Sequence, residues 1–331
     1  MSARRLALLG GPESGKTTYL GALIDALESG ALGTLTLAQT STDTRPLERL
    51  TEPLLDGHYP QRTKGERFSF ELALRYTSPE GEVDEVALGV GDYDGEEVER
   101  LFRDRVEGWS PEWRDRAKSS ALLIFMRPSG IVPLPVLQRA PKVEAPSKQR
   151  RPHFGSEPST LFEPGLAAEE VPPRRAADPN EPIRIPIPTV LSLIELLQFI
   201  RKARGLVPGE RPQPDQLRIA VVLSAWDAVE AAWHGRSPAD YASQHVHLLV
   251  DFLWSNFHAH DVMYFGLSST GGDLRDERHR ERYRERDPAK AGGFVTWSDV
   301  SGQVQRSDDL ALPIRWALFG DAAMRHDPHD P

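Results

Sequence analysis

The 331-residue sequence contains no cysteine, and no apolar run in it approaches the length of a membrane-spanning helix, about 20 residues. The absence of cysteine excludes disulfide bonds and thiolate metal sites. The apolar run near the N-terminus is too short for a signal peptide. A net charge of −9 argues against broad nucleic-acid binding, which favours a basic surface. We therefore expect a cytoplasmic protein with neither a membrane span nor a nucleic-acid partner.

Proline is unevenly distributed along the chain. Residues 128–188 hold 14 of the 28 prolines in 61 positions. That density does not allow the hydrogen-bonded elements of a packed core. We expect a single domain over residues 1–331, interrupted by a proline-rich, disordered insertion at residues 128–188.

Strand-like and helix-like patterns alternate outside the insertion. Residues 67–76 and 85–97 are predicted to form an antiparallel hairpin, and apolar strands are predicted at residues 119–128, 217–227 and 261–270. This order predicts an α/β fold, with a mostly parallel sheet, one antiparallel strand and helices on both faces. Ligands of such folds lie at the carboxyl ends of the strands.

Three further stretches are read from their composition and periodicity. Residues 31–66 are predicted to be largely loop, and residues 239–257 a single amphipathic helix. Residues 273–290 carry seven basic and six acidic side chains, which favours a solvated, mixed-charge loop or helix over an RNA-binding patch.

The segment "GGPESGKTTYLGAL" (residues 10–23) has the spacing of a phosphate-binding loop, with four residues between Gly10 and Gly15-Lys16-Thr17. An apolar strand precedes it and helical periodicity follows. Backbone amides of such a loop face phosphate oxygens, Lys16 would reach the outer phosphates, and the Thr17 hydroxyl would bind Mg²⁺. The alternative is an ordinary glycine turn with a solvated lysine, and the flanking elements favour phosphate binding.

Oxygen ligands for Mg²⁺ are available elsewhere in the sequence. Asp92 ends an apolar strand, where its carboxylate could hold Mg²⁺ through water. Gly95 would let its amide approach a γ-phosphate, and Glu96 could orient a water; an acidic turn is the alternative. The Thr63 hydroxyl, in "YPQRT", could complete the Mg²⁺ coordination. The threonines that compete for this role are Thr40, Thr42 and Thr44.

Asp227 follows another apolar strand, in "VVLSAWD". Its carboxylate could accept hydrogen bonds from N1–H and the exocyclic amine of guanine, whereas adenine has no donor at N1. A structural cap of the following helix is the alternative. "SST" at residues 268–270 ends the next strand, where small side chains and amides could meet the oxygen of a base.

The segments "GPESGKTTYLGAL", "GHYPQRT", "DYDGEE" and "LSAWD", in this order, resemble a Ras-like P-loop GTPase. More narrowly, they resemble the bacterial double-GTPase family, which is associated with predicted conflict systems and neighbouring effector proteins. The resemblance covers the chain except the proline-rich insertion and residues 273–290. It implies a P-loop NTPase fold, GTP/GDP and Mg²⁺ as ligands, GTP hydrolysis in a molecular switch, and an effector or second GTPase as partner.

The resemblance also implies site residues. Catalytic roles fall on Lys16, Glu96 and Thr63, and Mg²⁺ coordination on Thr17, Thr63 and Asp92. The expected nucleotide contacts are Gly10, Gly11, Pro12, Glu13, Ser14, Gly15, Lys16, Thr17, Thr18, Gly95, Ser224, Asp227, Ser268 and Ser269.

The sequence departs from the family pattern at two positions. Ser224-Ala225-Trp226-Asp227 replaces Asn-Lys-x-Asp, so the lysine that covers the base is missing. Glu96 stands where glutamine is usual, and its carboxylate would be repelled by a γ-phosphate, so unaided hydrolysis is expected to be slow. Two other functions stay open: a nucleotide-dependent interaction module with little turnover, and a P-loop ATPase or kinase.

Overall fold

The structure is a computed structural model that describes residues 4–38, 45–60, 68–78, 81–92, 111–133, 187–233, 235–287, 290 and 292–324. The chain divides into one unit, Met1–Pro133 with Ile187–Pro331, and a second unit, Leu134–Pro186. The second unit, and with it most of the predicted insertion, lies outside the described residues. The extent of the domain and the disorder of the insertion therefore stay predictions.

The described residues form one mixed sheet covered by helices. The strands are β1 (Arg4–Gly10), β2 (Leu35–Leu37), β3 (Phe68–Thr77), β4 (Val83–Asp92), β5 (Ala121–Met126), β6 (Arg218–Ser224), β7 (Val262–Ser268), β8 (Phe294–Ser298) and β9 (Val304–Ser307). The helices are α1 (Lys16–Glu28), α2 (Arg45–Leu55), α3 (Pro111–Arg116), α4 (Thr189–Ala203), α5 (Trp226–Trp233), α6 (Pro238–His245), α7 (His247–Asn256), α8 (Glu277–Arg284) and α9 (Leu312–Phe319). Short 3-10 helices span Pro128–Gly130, Ala259–Asp261 and Gly320–Met324.

The sheet has the strand order β2-β3-β4-β1-β5-β6-β7-β8-β9. Its centre, from β4 to β7, is parallel. The predicted hairpin of β3 and β4 is confirmed as an antiparallel pair. The prediction of one antiparallel strand is wrong, because β8 also runs against its neighbours β7 and β9. The hairpin does not form the edge of the sheet, since β2 pairs outside β3.

The central strands are buried on both faces, which is why their sequences are continuous apolar runs rather than alternating ones. Along β1, Leu6 and Leu8 belong to a core shared with α1, α2 and α9. Ala7 and Leu9 point to the opposite face and join a core shared with α3 to α7. The prediction of helices on both faces is thereby confirmed for the described part of the chain.

The prediction of a loop over residues 31–66 is wrong in part, because β2 and α2 lie within it. Helix α2 buries Leu47, Leu50 and Leu54, which recur at helical spacing, and it approaches α1 closely at Gly21. A Cβ on Gly21 would lie 2.4 Å from the Leu50 carbonyl oxygen.

Two other predictions are corrected in detail. The helix predicted at residues 239–257 is broken between α6 and α7 at Val246, whose φ of −133° is outside the helical range and whose side chain is buried in the core. The charged stretch 273–290 contains α8, and it is not merely solvated: Tyr283 is buried, and Arg286 forms an ion pair with Asp25 of α1.

The described residues before and after the unit Leu134–Pro186 are joined by hydrogen bonds. The Val132 amide donates to Thr189 Oγ1 at 3.0 Å, and the Thr189 amide donates to the Val132 carbonyl at 3.2 Å. No helix within the described ranges combines the length and apolar character that crossing a membrane requires.

Candidate functional site

The loop 10–17 joins β1 to α1 at the carboxyl edge of the parallel strands. Three of its residues have positive φ: Gly10 at 152°, Glu13 at 56° and Gly15 at 90°. A Cβ on Gly10 would lie 2.6 Å from the Phe125 carbonyl oxygen of the neighbouring strand. Glycine at position 10 is therefore required both by its backbone angle and by the close approach of β5.

Lys16 begins helix α1, and its side chain folds back over the loop. Its Nζ donates to the carbonyl oxygens of Gly10 at 2.7 Å and Gly11 at 3.0 Å, and to Ser14 Oγ at 3.0 Å. Only 6% of Lys16 is exposed. The alternative of a solvated lysine is thus wrong. A lysine in the first helical turn also lies at the positive end of the helix dipole, an arrangement that a bound anion would stabilise.

The loop 10–17 contacts the end of β6 through Gly15. A Cβ on Gly15 would lie 2.8 Å from both Cβ and Oγ of Ser224. Ser224 is buried, and its Oγ donates to the Met126 carbonyl at 3.4 Å. The folded chain therefore brings together the loop 10–17 and the segment predicted to contact the base, although they are more than 200 residues apart in sequence.

Asp227 lies in the first turn of α5, after a turn in which Ala225 takes a φ of 51°. Its Oδ1 accepts a 2.6 Å hydrogen bond from Ser268 Oγ, at the end of the next strand. A carboxylate accepts about four hydrogen bonds, so acceptor positions for further donors are left on Asp227. The structure thus brings Asp227 and Ser268 together. It also places a negative charge where the dipole of α5 stabilises it, so a structural contribution to the helix and base recognition are compatible.

Trp226, between Ala225 and Asp227, is fully buried. Its ring packs against the backbone of Gly266 in β7, where a Cβ would lie 2.3 Å from the indole. This contact leaves no space for any side chain at Gly266. The start of α5, and with it Asp227, is therefore held against β7.

Only some of the residues predicted to hold Mg²⁺ and the γ-phosphate lie within the described ranges. Thr17 and Thr18 lie half-buried in the first turn of α1. Asp92 ends β4, the parallel neighbour of β1, and only its backbone is described. The predicted residues that lie outside the described ranges are Thr63, Gly95 and Glu96.

Sequence reasoning missed two side chains that contact residues 268–274, a segment that begins with the last residue of β7 and that we call the β7 loop. His279 Nε2 lies 2.9 Å from the Thr270 carbonyl oxygen, and the Tyr59 hydroxyl donates to Asp273 Oδ1 at 3.1 Å. No motif or spacing in the sequence pointed to a role for His279, because it lies in the charged stretch 273–290. Tyr59 belongs to "GHYPQRT", but nothing in its spacing links it to residue 273.

Burial raises the pKa of the Tyr59 hydroxyl, and the charge of Asp273 adds to that rise. For Asp273, burial alone would raise the pKa, but hydrogen bonds from Arg275 and from Tyr59 outweigh it and lower the pKa. Asp273 is therefore held in its charged form as an acceptor for Tyr59.

No curated protein matches this sequence significantly. A family model, Double-GTPase 1, matches residues 7–317, which include β1 from Ala7 onward, the loop 10–17, Asp227 and the β7 loop. This match confirms the resemblance to the double-GTPase family. Because it spans nearly the whole sequence, the chain belongs to the Double-GTPase 1 family and is, as the family implies, a GTP-binding protein.

Proposed function

We propose that this protein binds GTP in the loop 10–17, reads the guanine base with Asp227, and hydrolyses GTP with the help of Mg²⁺. The contact between Gly15 and Ser224 carries this proposal. It puts a loop with the phosphate-binding spacing and a buried lysine directly beside the strand end that leads to Asp227. A nucleotide whose phosphates lie on the loop 10–17 would thus have its base near Asp227.

On the phosphate side, amides of the loop 10–17 and the first turn of α1 would hold the phosphates. The Lys16 ammonium is already fixed by the Gly10 carbonyl and Ser14 Oγ, at 2.7 and 3.0 Å. Neutralising the charge that develops on the phosphates is its proposed catalytic role. To contact a phosphate, Nζ would exchange at least one of its hydrogen bonds to Gly10, Gly11 and Ser14 for a bond to a phosphate oxygen.

The donor set fits Mg²⁺, which prefers hydroxyl, carboxylate and phosphate oxygens. Thr17 on α1 and Asp92 at the end of β4 come from elements that adjoin or pair with β1, and Thr63 would complete the set. When bound, Mg²⁺ would neutralise charge on the β- and γ-phosphates. Glu96 would orient the attacking water. Because its negative charge is repelled by the γ-phosphate, we expect hydrolysis to be slow unless a partner protein assists it. We propose that this partner is an effector or a second GTPase that responds to the bound nucleotide.

A direct test measures binding of GTP, GDP, ATP and ADP, with and without Mg²⁺, followed by multiple-turnover release of phosphate. We expect guanine nucleotides to bind much more tightly than adenine nucleotides, and phosphate to be released slowly. Equal binding of ATP and GTP would contradict the guanine assignment. Tight GTP binding with no phosphate release would instead identify a nucleotide-dependent interaction module.

A further inference from the structure

The β7 loop carries two consecutive glycines between buried residues, although Gly271 and Asp273 themselves are exposed. Ser268 is 0% exposed, Thr270 4% and Leu274 2%. Gly271 has a φ of 70°, and a Cβ on it would lie 2.7 Å from the Gly292 carbonyl oxygen. A Gly-Gly pair has many accessible backbone conformations, so contacts from outside are needed to keep this loop in one of them.

One such contact comes from α8. His279 Nε2 donates to the Thr270 carbonyl oxygen at 2.9 Å in the tautomer that carries its proton there. The imidazole also lies against Gly272, where a Cβ would be 2.8 Å from the ring. Inside the loop, Thr270 Oγ1 donates to the Gly272 carbonyl at 2.7 Å. His279 therefore holds the loop two residues from Ser268.

The other contact comes from the segment after α2. The Tyr59 hydroxyl accepts a hydrogen bond from the Leu274 amide and donates one to Asp273 Oδ1, both at 3.1 Å. The same segment packs on α8, since a Cβ on Gly57 would lie 2.6 Å from Arg280 Cγ. Tyr59 thus holds the far end of the loop from an element that is distant in sequence.

We propose that His279 and Tyr59 are positioning residues that clamp the β7 loop and so set the selectivity of Asp227 for guanine. The clamp acts through Ser268, whose Oγ donates to Asp227 Oδ1 at 2.6 Å. Ser268 itself is paired with Phe294 of β8, so a shift of residues 269–274 would change the direction of its Oγ rather than the place of its backbone. The Asp227 carboxylate would then lose the bond that orients it towards the base. The clamp supplies rigidity at a site where Ala225 provides no lysine stem over the base. This inference rests on the proposed guanine site.

The test compares the affinities of GDP and IDP, because the base of IDP keeps N1–H but lacks the exocyclic amine of guanine. The ratio of the two affinities therefore measures the hydrogen bond from that amine to Asp227. In the parent we expect GDP to bind about tenfold or more tighter than IDP, the range of a hydrogen bond to a charged group.

Four variants decide the role of the clamp. His279→Leu removes the bond to Thr270 and should lower the GDP/IDP ratio at least about threefold, since it acts nearest to Ser268. His279→Gln retains a donor of similar reach and should restore much of the ratio. Tyr59→Phe removes one oxygen atom and should lower the ratio less than His279→Leu. Tyr264→Phe, which removes a hydroxyl from β7 four residues before Ser268, is the matched control and should leave the ratio unchanged.

Asp227→Asn, measured in the same assay, separates failure of the clamp from failure of the proposed function. If this variant keeps the parental ratio, the guanine assignment itself is wrong. If Asp227→Asn brings the GDP/IDP ratio close to one while His279→Leu and Tyr59→Phe keep the parental ratio, the guanine assignment holds and only the clamp is wrong. A uniform loss of affinity for both nucleotides in the clamp variants also overturns it, because a purely structural role would produce that result. If His279→Leu does not fold, Tyr59→Phe decides alone.

Discussion

The phosphate side and the base side of the candidate site are built in different ways. The loop 10–17 is continuous, and the hydrogen bonds of Lys16 to Gly10 and Ser14 are made within its eight residues. The base side takes Asp227 from α5, Ser268 from β7, His279 from α8 and Tyr59 from the segment after α2. The first thus depends largely on local geometry, with close approaches to Phe125 and Ser224 of the neighbouring strands, whereas the second exists only when four distant segments have packed.

We therefore expect substitutions on the two sides to affect nucleotide binding in different ways. On the proposed function, a change in the loop 10–17 should act directly on the ligand. A change on the base side should act indirectly, as a change in the β7 loop would act on Asp227 through Ser268. Its effect would be divided among several contacts.

The largest effect is expected from Lys16→Ala. Removing the ammonium should abolish measurable GTP binding while the fold persists, because the lysine contacts loop oxygens rather than the apolar core. Titration with labelled GTP and thermal unfolding check the two parts. Lys202→Ala, at the end of α4, is the control. Parental GTP affinity in Lys16→Ala would show that the loop 10–17 does not hold the phosphates.

The corresponding test of the base side is Asp227→Asn. The substitution replaces one acceptor by a donor, so GTP should weaken by about tenfold to a hundredfold and XTP, which has a carbonyl in place of the amine, should gain. Competition of labelled GTP by GTP, XTP and ATP measures this shift. An unchanged preference would leave Asp227 with a structural role at the start of α5.

A smaller, indirect effect is expected from Gly266→Ala. The new Cβ would overlap the Trp226 ring, which lies 2.3 Å away, and should cost about 1–3 kcal/mol of stability. Because Trp226 precedes Asp227, GDP should also dissociate several-fold faster. Gly89→Ala in β4 is the matched control, since the nearest atom to its Cβ among the described residues is the Leu6 carbonyl oxygen, at an ordinary contact distance of 3.5 Å. Chemical denaturation measures the stability, and stopped-flow release of labelled GDP measures the dissociation rate. Equal stability and equal GDP release in the two variants would show that Trp226 does not hold Asp227 in place.

The smallest effect is expected from replacing residues 134–186 by a short flexible linker. Val132 and Thr189 already exchange backbone and side-chain hydrogen bonds, so a short connection can join the two ends. GTP affinity and melting temperature should stay close to those of the parent. A soluble deletion variant that no longer binds GTP would show that this segment contributes to the site.

Periodicity and spacing predicted the central strands, the hairpin and the loop 10–17, because each of these depends on residues close together in sequence. They failed at β8 and β9, which are short strands added at a sheet edge, and at α2, whose leucines at positions 47, 50 and 54 were present but not used. The break between α6 and α7 was missed because Val246 keeps the apolar pattern while its backbone leaves the helix.

Elements with local causes could be read directly from the residues: the glycines that permit the turns of the loop 10–17, the lysine that follows them, and the apolar runs buried on both sides of the sheet. Folding of the whole chain is needed for Gly15 to contact Ser224, for Ser268 to bind Asp227, and for His279 and Tyr59 to reach the β7 loop. These contacts join residues 9 to more than 200 positions apart. No local pattern encodes them, because they follow from which strands become neighbours in the sheet and from how the helices pack against it.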